Sequence, residues 1–341
     1  MHYRIFSLTG ALLAGAALSC GAAYAAELRV LTHSSFAVPK PLLERFEADA
    51  GVTLRITKTG DAGEMLNKLI LTRAAPVADV VFGIDNTLVG KAMAAQVLEP
   101  YKGPAATRAS SVSLPGAVVP VDYGYVSINY DKAWFAKSKL PLPKSLDDLT
   151  QPKYAKLLAV QNPATSSTGN AFMLATIGSM GEEKAFAWWA RMRSNGLKVA
   201  KGWSEAYYTE FSQNGGAYPL VVSYATSPAA ELFYSNGKFT EPPTGSLNLP
   251  GAVFRQVEGV ALVKGATARL AAEKFIEFMR STPVQQGLQT EMWMFPVEPG
   301  APRADALRFA PEPGASSSPS AQDMDSKGPG WVARWTKVVL K

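Results

Sequence analysis

The chain has 341 residues, with 34 Lys and Arg against 28 Asp and Glu, a formal charge of +6. The basic excess is spread thinly along the sequence, which argues against nucleic acid as a partner. Cys20 is the single cysteine, so the chain beyond it excludes disulfides, thiolate metal sites and a cysteine nucleophile.

Residues 1–25 read as a removable export signal. His2 and Arg4 precede an almost wholly apolar run over residues 5–19, and Ala23-Tyr24-Ala25 supplies a small-x-small cleavage pattern. The run is shorter than the ~20 residues that span a bilayer. Lipidation at Cys20 is a second possibility, for which Leu18 stands in a poor place. Without Arg4 the rest of the chain keeps 33 basic and 28 acidic side chains, a charge of +5. About 315 residues suffice for two lobes with substantial cores. No second apolar segment nears membrane-spanning length, and no internal repeat is visible.

Residues 27–32 alternate as a first strand, and 41–50 place Leu42, Leu43 and Phe46 on one helical face. A second strand over 53–57, a helix over 62–74 and a buried strand over 78–83 continue the alternation. Such alternation predicts an α/β fold with a mostly parallel sheet and ligands at its carboxyl edge. Residues 121–130 form a long aromatic-rich strand that runs on to Trp134, and 256–263 form a comparable one. Two such crossings enclose an inserted lobe. The predicted organisation is 26–125 with 258–300 as one lobe and 126–257 with 301–341 as the other, joined by a hinge around a ligand cleft. Residues 266–280 read as an amphipathic helix, with another beginning at Ser281-Thr282-Pro283. The Pro-, Ser-, Ala- and Gly-rich run 298–329 reads as a surface excursion or disordered tail ahead of a terminal helix over 331–340.

The candidate binding residues stand at loop and strand ends. Asp85 follows the third strand, where it either meets a ligand or caps the next helix, over 87–95. Ser166 and Thr168 lie in the hydroxyl-rich Asn162-Pro163-Ala164-Thr165-Ser166-Ser167-Thr168-Gly169 ahead of an apolar helix, a start suited to phosphate and equally to ordinary capping. Trp203 and Tyr224 sit among Gly, Ser, Thr and Glu, the neighbours of ligand-facing rings rather than of buried ones. Glu205, Tyr207 and Ser227 accompany them, and Trp293 in Met292-Trp293-Met294-Phe295-Pro296-Val297 adds a wall whose Met294 and Phe295 are assigned to the core. Flat rings beside carboxylates suit a flat cation. Adjacent Tyr207 and Tyr208 also permit ferric iron, although His33 is the only histidine after the signal and no metal-ligand spacing is evident.

Together these segments resemble the thiamine-binding periplasmic proteins of bacterial thiamine ABC transporters. The likeness is most specific over 78–86, 121–132, 202–207, 223–229 and 293–297. It implies a type II two-lobed periplasmic binding protein, monomeric and without a cofactor. It also implies thiamine or its mono- and diphosphate as ligand, and an inner-membrane ABC permease as partner. Asp85, Trp203, Tyr224 and Trp293 match the ligand-contacting positions, and Ser166 and Thr168 the phosphate side. The chain departs at His33-Ser34-Ser35-Phe36, where the family has Tyr-Asp-Ser-Phe and then a Trp-containing insertion, and at Tyr208 in place of glycine. These departures keep ferric iron, a polyamine or another cationic heteroaromatic open as ligands. A secreted thiamine-degrading transferase is a more distant alternative that lacks its cysteine nucleophile here.

Overall fold

The computed structural model describes residues 26–341, so the export signal and Cys20 lie outside the described residues. Eleven strands form one continuous curled sheet. β1 (Ala26–Thr32), β2 (Val52–Lys58) and β3 (Val80–Asp85) pair in parallel, as the alternation predicts. Six of the ten strand pairings among the described residues are antiparallel, however, so the sheet is mixed rather than mostly parallel. The helices Lys40–Ala50 and Ala62–Leu71 connect them. Asp61 caps the second of these by accepting from the Ala62 N–H.

After β4 (Leu98–Glu99), the long β5 (Val119–Asp131) passes from one lobe to the other. Its first half pairs with β10 (Phe254–Val263), and its second half pairs with β8 (Leu220–Tyr224) and β9 (Thr244–Leu247). β6 (Leu158–Gln161) and β7 (Lys198–Ala200) extend the far edge, and β11 (Phe295–Pro296) returns to β5. Separate cores lie on either side of this crossing. Val30, Val80, Val121, Val260 and Phe275 pack in one lobe. Ile128, Phe172, Trp188, Trp189, Leu220 and Trp335 pack in the other.

Two segments differ from their sequence reading. The strand through β5 stops at Asp131, whose carboxylate accepts from the Trp134 N–H and starts the helix Lys132–Ser138. Residues 298–329 are also more ordered than their composition predicts. They contain the short turn Asp305–Phe309 and more than half of a helix, Ala321–Trp335, that runs through Pro329. Ser320 caps this helix by accepting from the Asp323 N–H, and burial of Trp331 and Trp335 in the core docks it.

Candidate functional site

A cavity of about 320 Å³ opens between the lobes, where β8, β10 and the starts of the helices Ala62–Leu71, Ser167–Met180, Trp203–Glu205 and Ser227–Phe233 converge. Trp203, Tyr207 and Tyr208 form one aromatic wall, with Trp203 stacked on Tyr207 at 5.0 Å between centroids and 12° between planes. Tyr224 contributes from the end of β8, and Tyr234 and Trp293 form a second aromatic group, 5.7 Å apart. The Trp203 indole N–H donates to Ser223 Oγ at 2.8 Å, and Ser223 Oγ lies 2.9 Å from Ser227 Oγ, which fixes the ring against β8.

Trp293 adopts φ 61°, a left-handed conformation that is costly for a bulky residue. Strain of this kind persists where the surrounding structure holds it and concentrates at binding sites. Here it turns the indole into the cavity, while Met294 also reaches the lining rather than serving the core alone.

Six of the nine predicted binding residues line this cavity together: Thr168, Trp203, Tyr207, Tyr224, Ser227 and Trp293. Asp85, Ser166 and Glu205 do not. Asp85 is fully buried, and its Oδ1 accepts from the Thr87 N–H and hydroxyl at 2.8 and 2.7 Å, which closes a turn ahead of the helix Val89–Ala94. That helix has no side-chain cap, so Asp85 takes neither the ligand-facing nor the capping position expected of it. Ser166 caps the helix Ser167–Met180 by accepting from the Gly169 N–H, and Glu205 is exposed and accepts from the Lys201 N–H. Asp85 remains linked to the site through Gln256. The Gln256 amide donates to Asp85 and to Ser167 Oγ, while its carbonyl accepts from the Tyr224 hydroxyl at 2.8 Å.

Sequence reasoning overlooked the carboxylates that line the site, Asp61, Glu231 and Glu258. Glu258 sits at a bulge in β10 and is in register with Asp85 on β3 and Asp122 on β5, so three carboxyl groups line up across adjacent strands. The sequence signal for them was a charged residue inside an otherwise buried strand. Burial, reinforced by the Glu258 charge, pushes Asp85 up to about 6 despite its hydrogen bonds from Thr87. The same two causes raise Asp122 well above the carboxylate range.

His33 Nε2 lies 3.6 Å from Glu258 Oε2. Burial, the largest single effect, lowers this imidazole, but the Glu258 charge and bond together with the charges of Asp61 and Asp85 outweigh it and the pKa is raised. Gly83, at φ 104°, makes room for the ring, since a Cβ there would fall 2.3 Å from His33 Cδ2. His33 Nε2, the Tyr207 hydroxyl and Thr226 Oγ1 are buried without hydrogen-bond partners, so the cavity wall offers unsatisfied polar groups to a ligand. No group of three or more His, Cys, Asp or Glu among the described residues is placed to hold a metal ion.

The lobes touch at the cavity edge. Asp61 Oδ2 accepts from the Trp203 N–H at 3.0 Å, and Lys201 pairs with Glu64 at 2.8 Å. Two cores joined by crossing strands, with a ring-lined cavity between them, define a two-lobed solute-binding protein. Residues 75–326 match the family described as bacterial extracellular solute-binding protein, and the chain belongs to that family.

Among its relatives, the thiamine-binding periplasmic protein of Salmonella typhimurium is 32% identical, over 92% of this chain and 94% of that one. A solved periplasmic thiamin binding protein aligns with a TM-score of 0.81 at 28% identity, covering 92% of this chain and 96% of the other. A ferric binding protein from Campylobacter jejuni has a TM-score of 0.72 at 18% identity, covering 91% and 99%, a likeness of fold alone.

Proposed function

We propose that this chain is a periplasmic binding protein that captures thiamine and delivers it to an ABC transporter permease, without altering the ligand. The observation that carries the reading is the chemistry of the cavity. Aromatic faces and the carboxylates Asp61, Glu231 and Glu258 surround it, and no Lys or Arg among the described residues lines it. Thiamine joins a permanently cationic thiazolium to an aminopyrimidine. Each well-placed ring face gains about 0.5 to 2 kcal/mol from such a cation, and the carboxylates complement its charge and amino group. The thiamine-binding relatives, matched over nearly their whole length, support the same ligand. They also support export to the periplasm.

The lobe division at 26–125 with 258–300 and 126–257 with 301–341 belongs to this proposal, as does a monomeric state. The separate cores on either side of Val126 support the division, while Leu307 and Ala310 pack along the seam against Tyr123 and Phe295. Ligand bridging the lobes stabilises their closed arrangement through contacts that only this arrangement offers. Isothermal titration calorimetry with thiamine tests the reading. Saturable one-to-one heat with a rise in melting temperature is expected, and neither response at high ligand excess rejects it.

A further inference from the structure

We propose that capture of the cationic ligand is coupled to loss of a proton from the buried cluster of His33, Asp85 and Glu258. This rests on the thiamine reading above and adds a proton to its stoichiometry. Glu258 on β10 is in register with Asp85 on one side and with Asp122 on the other. Directly opposed residues of antiparallel strands share a face at a spacing of about 5 Å, so three carboxyl groups stand side by side. His33 Nε2 lies 3.6 Å from Glu258 Oε2, and both residues line the cavity.

The cluster has too few donors for three negative charges. Both oxygens of Asp122 are buried without a hydrogen-bond partner, so this group keeps its proton. Asp85 differs, because Thr87 donates an N–H and a hydroxyl to Oδ1 and the Gln256 amide donates to Oδ2, so its carboxylate is stabilised once the proton leaves. Burial and the Glu258 charge hold that proton to about pH 6. His33 Nδ1 accepts from the Ser35 N–H at 3.2 Å, so a second ring proton displaces that bond and is held, against burial, by the charges of Glu258, Asp61 and Asp85. Asp61 faces the ring from the start of the helix Ala62–Leu71, and Glu231 faces the cavity from the helix Ser227–Phe233. Burial keeps the Tyr207 and Tyr224 hydroxyls well above neutral, so they retain their hydrogens. A cation set against Glu258 offsets the charge that holds the Asp85 proton and repels an imidazolium at His33. Both effects send a proton to the buffer. By reciprocity, the ligand binds more tightly as pH rises.

The experiment is calorimetric titration with thiamine in buffers of different ionisation enthalpy, where the slope of observed heat against that enthalpy counts the protons released. Roughly half a proton or more per thiamine is expected near pH 6, with affinity rising about threefold or more between about pH 5 and about pH 7. The count is expected to fall in Asp85→Asn, in His33→Gln, or in both. Thiamine binding to the wild type with no release, or with proton uptake, overturns the coupling alone. So does a count unchanged in both variants, which assigns the proton to the aminopyrimidine of the ligand or to another group. Absence of thiamine binding at every pH overturns the underlying reading, and the coupling with it.

Discussion

At the scale of single residues, Trp203 carries the clearest test, because its indole stacks on Tyr207, bonds Ser223 and still faces the cavity. Trp203→Ala is expected to weaken thiamine binding by about tenfold or more, with Trp203→Phe retaining much of the affinity. Equal titration curves for wild type and Trp203→Ala would remove the ring from the site. Asp79 tests stability away from the cavity. It is buried, and its carboxylate accepts from Arg29 and from the Thr267 and Ala268 N–H groups. Burial alone would raise this carboxyl, but the Arg29 bonds and the N–H donors hold it well below the usual range. Asp79→Ala is expected to cost about 3 kcal/mol or more in urea unfolding, since Arg29 and two backbone donors lose their partner.

At the scale of elements, the helix Ala62–Leu71 approaches the opposite lobe so closely that a Cβ at Gly63 would lie 2.7 Å from the Thr165 carbonyl oxygen. Gly63→Ala favours the helix itself by up to about 1 kcal/mol. Affinity is nevertheless expected to fall while the ligand-free melting temperature holds or rises. A parallel loss of both would point to misfolding instead of blocked closure.

The strands β3, β10 and β5 make a second element-scale prediction. Folding raises Asp85 from about 3.9 in the unfolded chain to about 6, so the native state binds the proton more tightly. Stability from this residue is therefore present at low pH and is lost as pH rises from about 4 through 6. The advantage of Asp85→Asn over wild type should grow across that window by roughly 3 kcal/mol, measured by urea unfolding at successive pH values. A difference independent of pH would contradict the buried carboxyl row.

At the scale of the whole molecule, the two-lobed plan was legible because its main strands are long and periodic. β1, β2 and β3 alternate with amphipathic helices, and β5 and β10 stand out as extended crossings. β4, β7, β9 and β11 have two to four residues, too few to display a period, and depend on neighbours supplied by the folded chain. The helix Ala321–Trp335 was hidden by Gly328-Pro329-Gly330, which local propensity reads as loop, whereas Trp331 and Trp335 secure it by burial. Within the site, aromatic residues in polar loops were recognisable, and Asp61, Glu231 and Glu258 were not. Their alignment arises from strand register and lobe contact, neither of which is encoded at adjacent positions.

The most direct measurement is a crystal structure of the protein grown with thiamine. The account predicts ligand density in the interlobe cavity, with the heterocycles against Trp203 and Tyr224 and the cationic ring near Glu258 or Asp61. Thiamine bound elsewhere on the surface, with this cavity filled only by solvent, would contradict it.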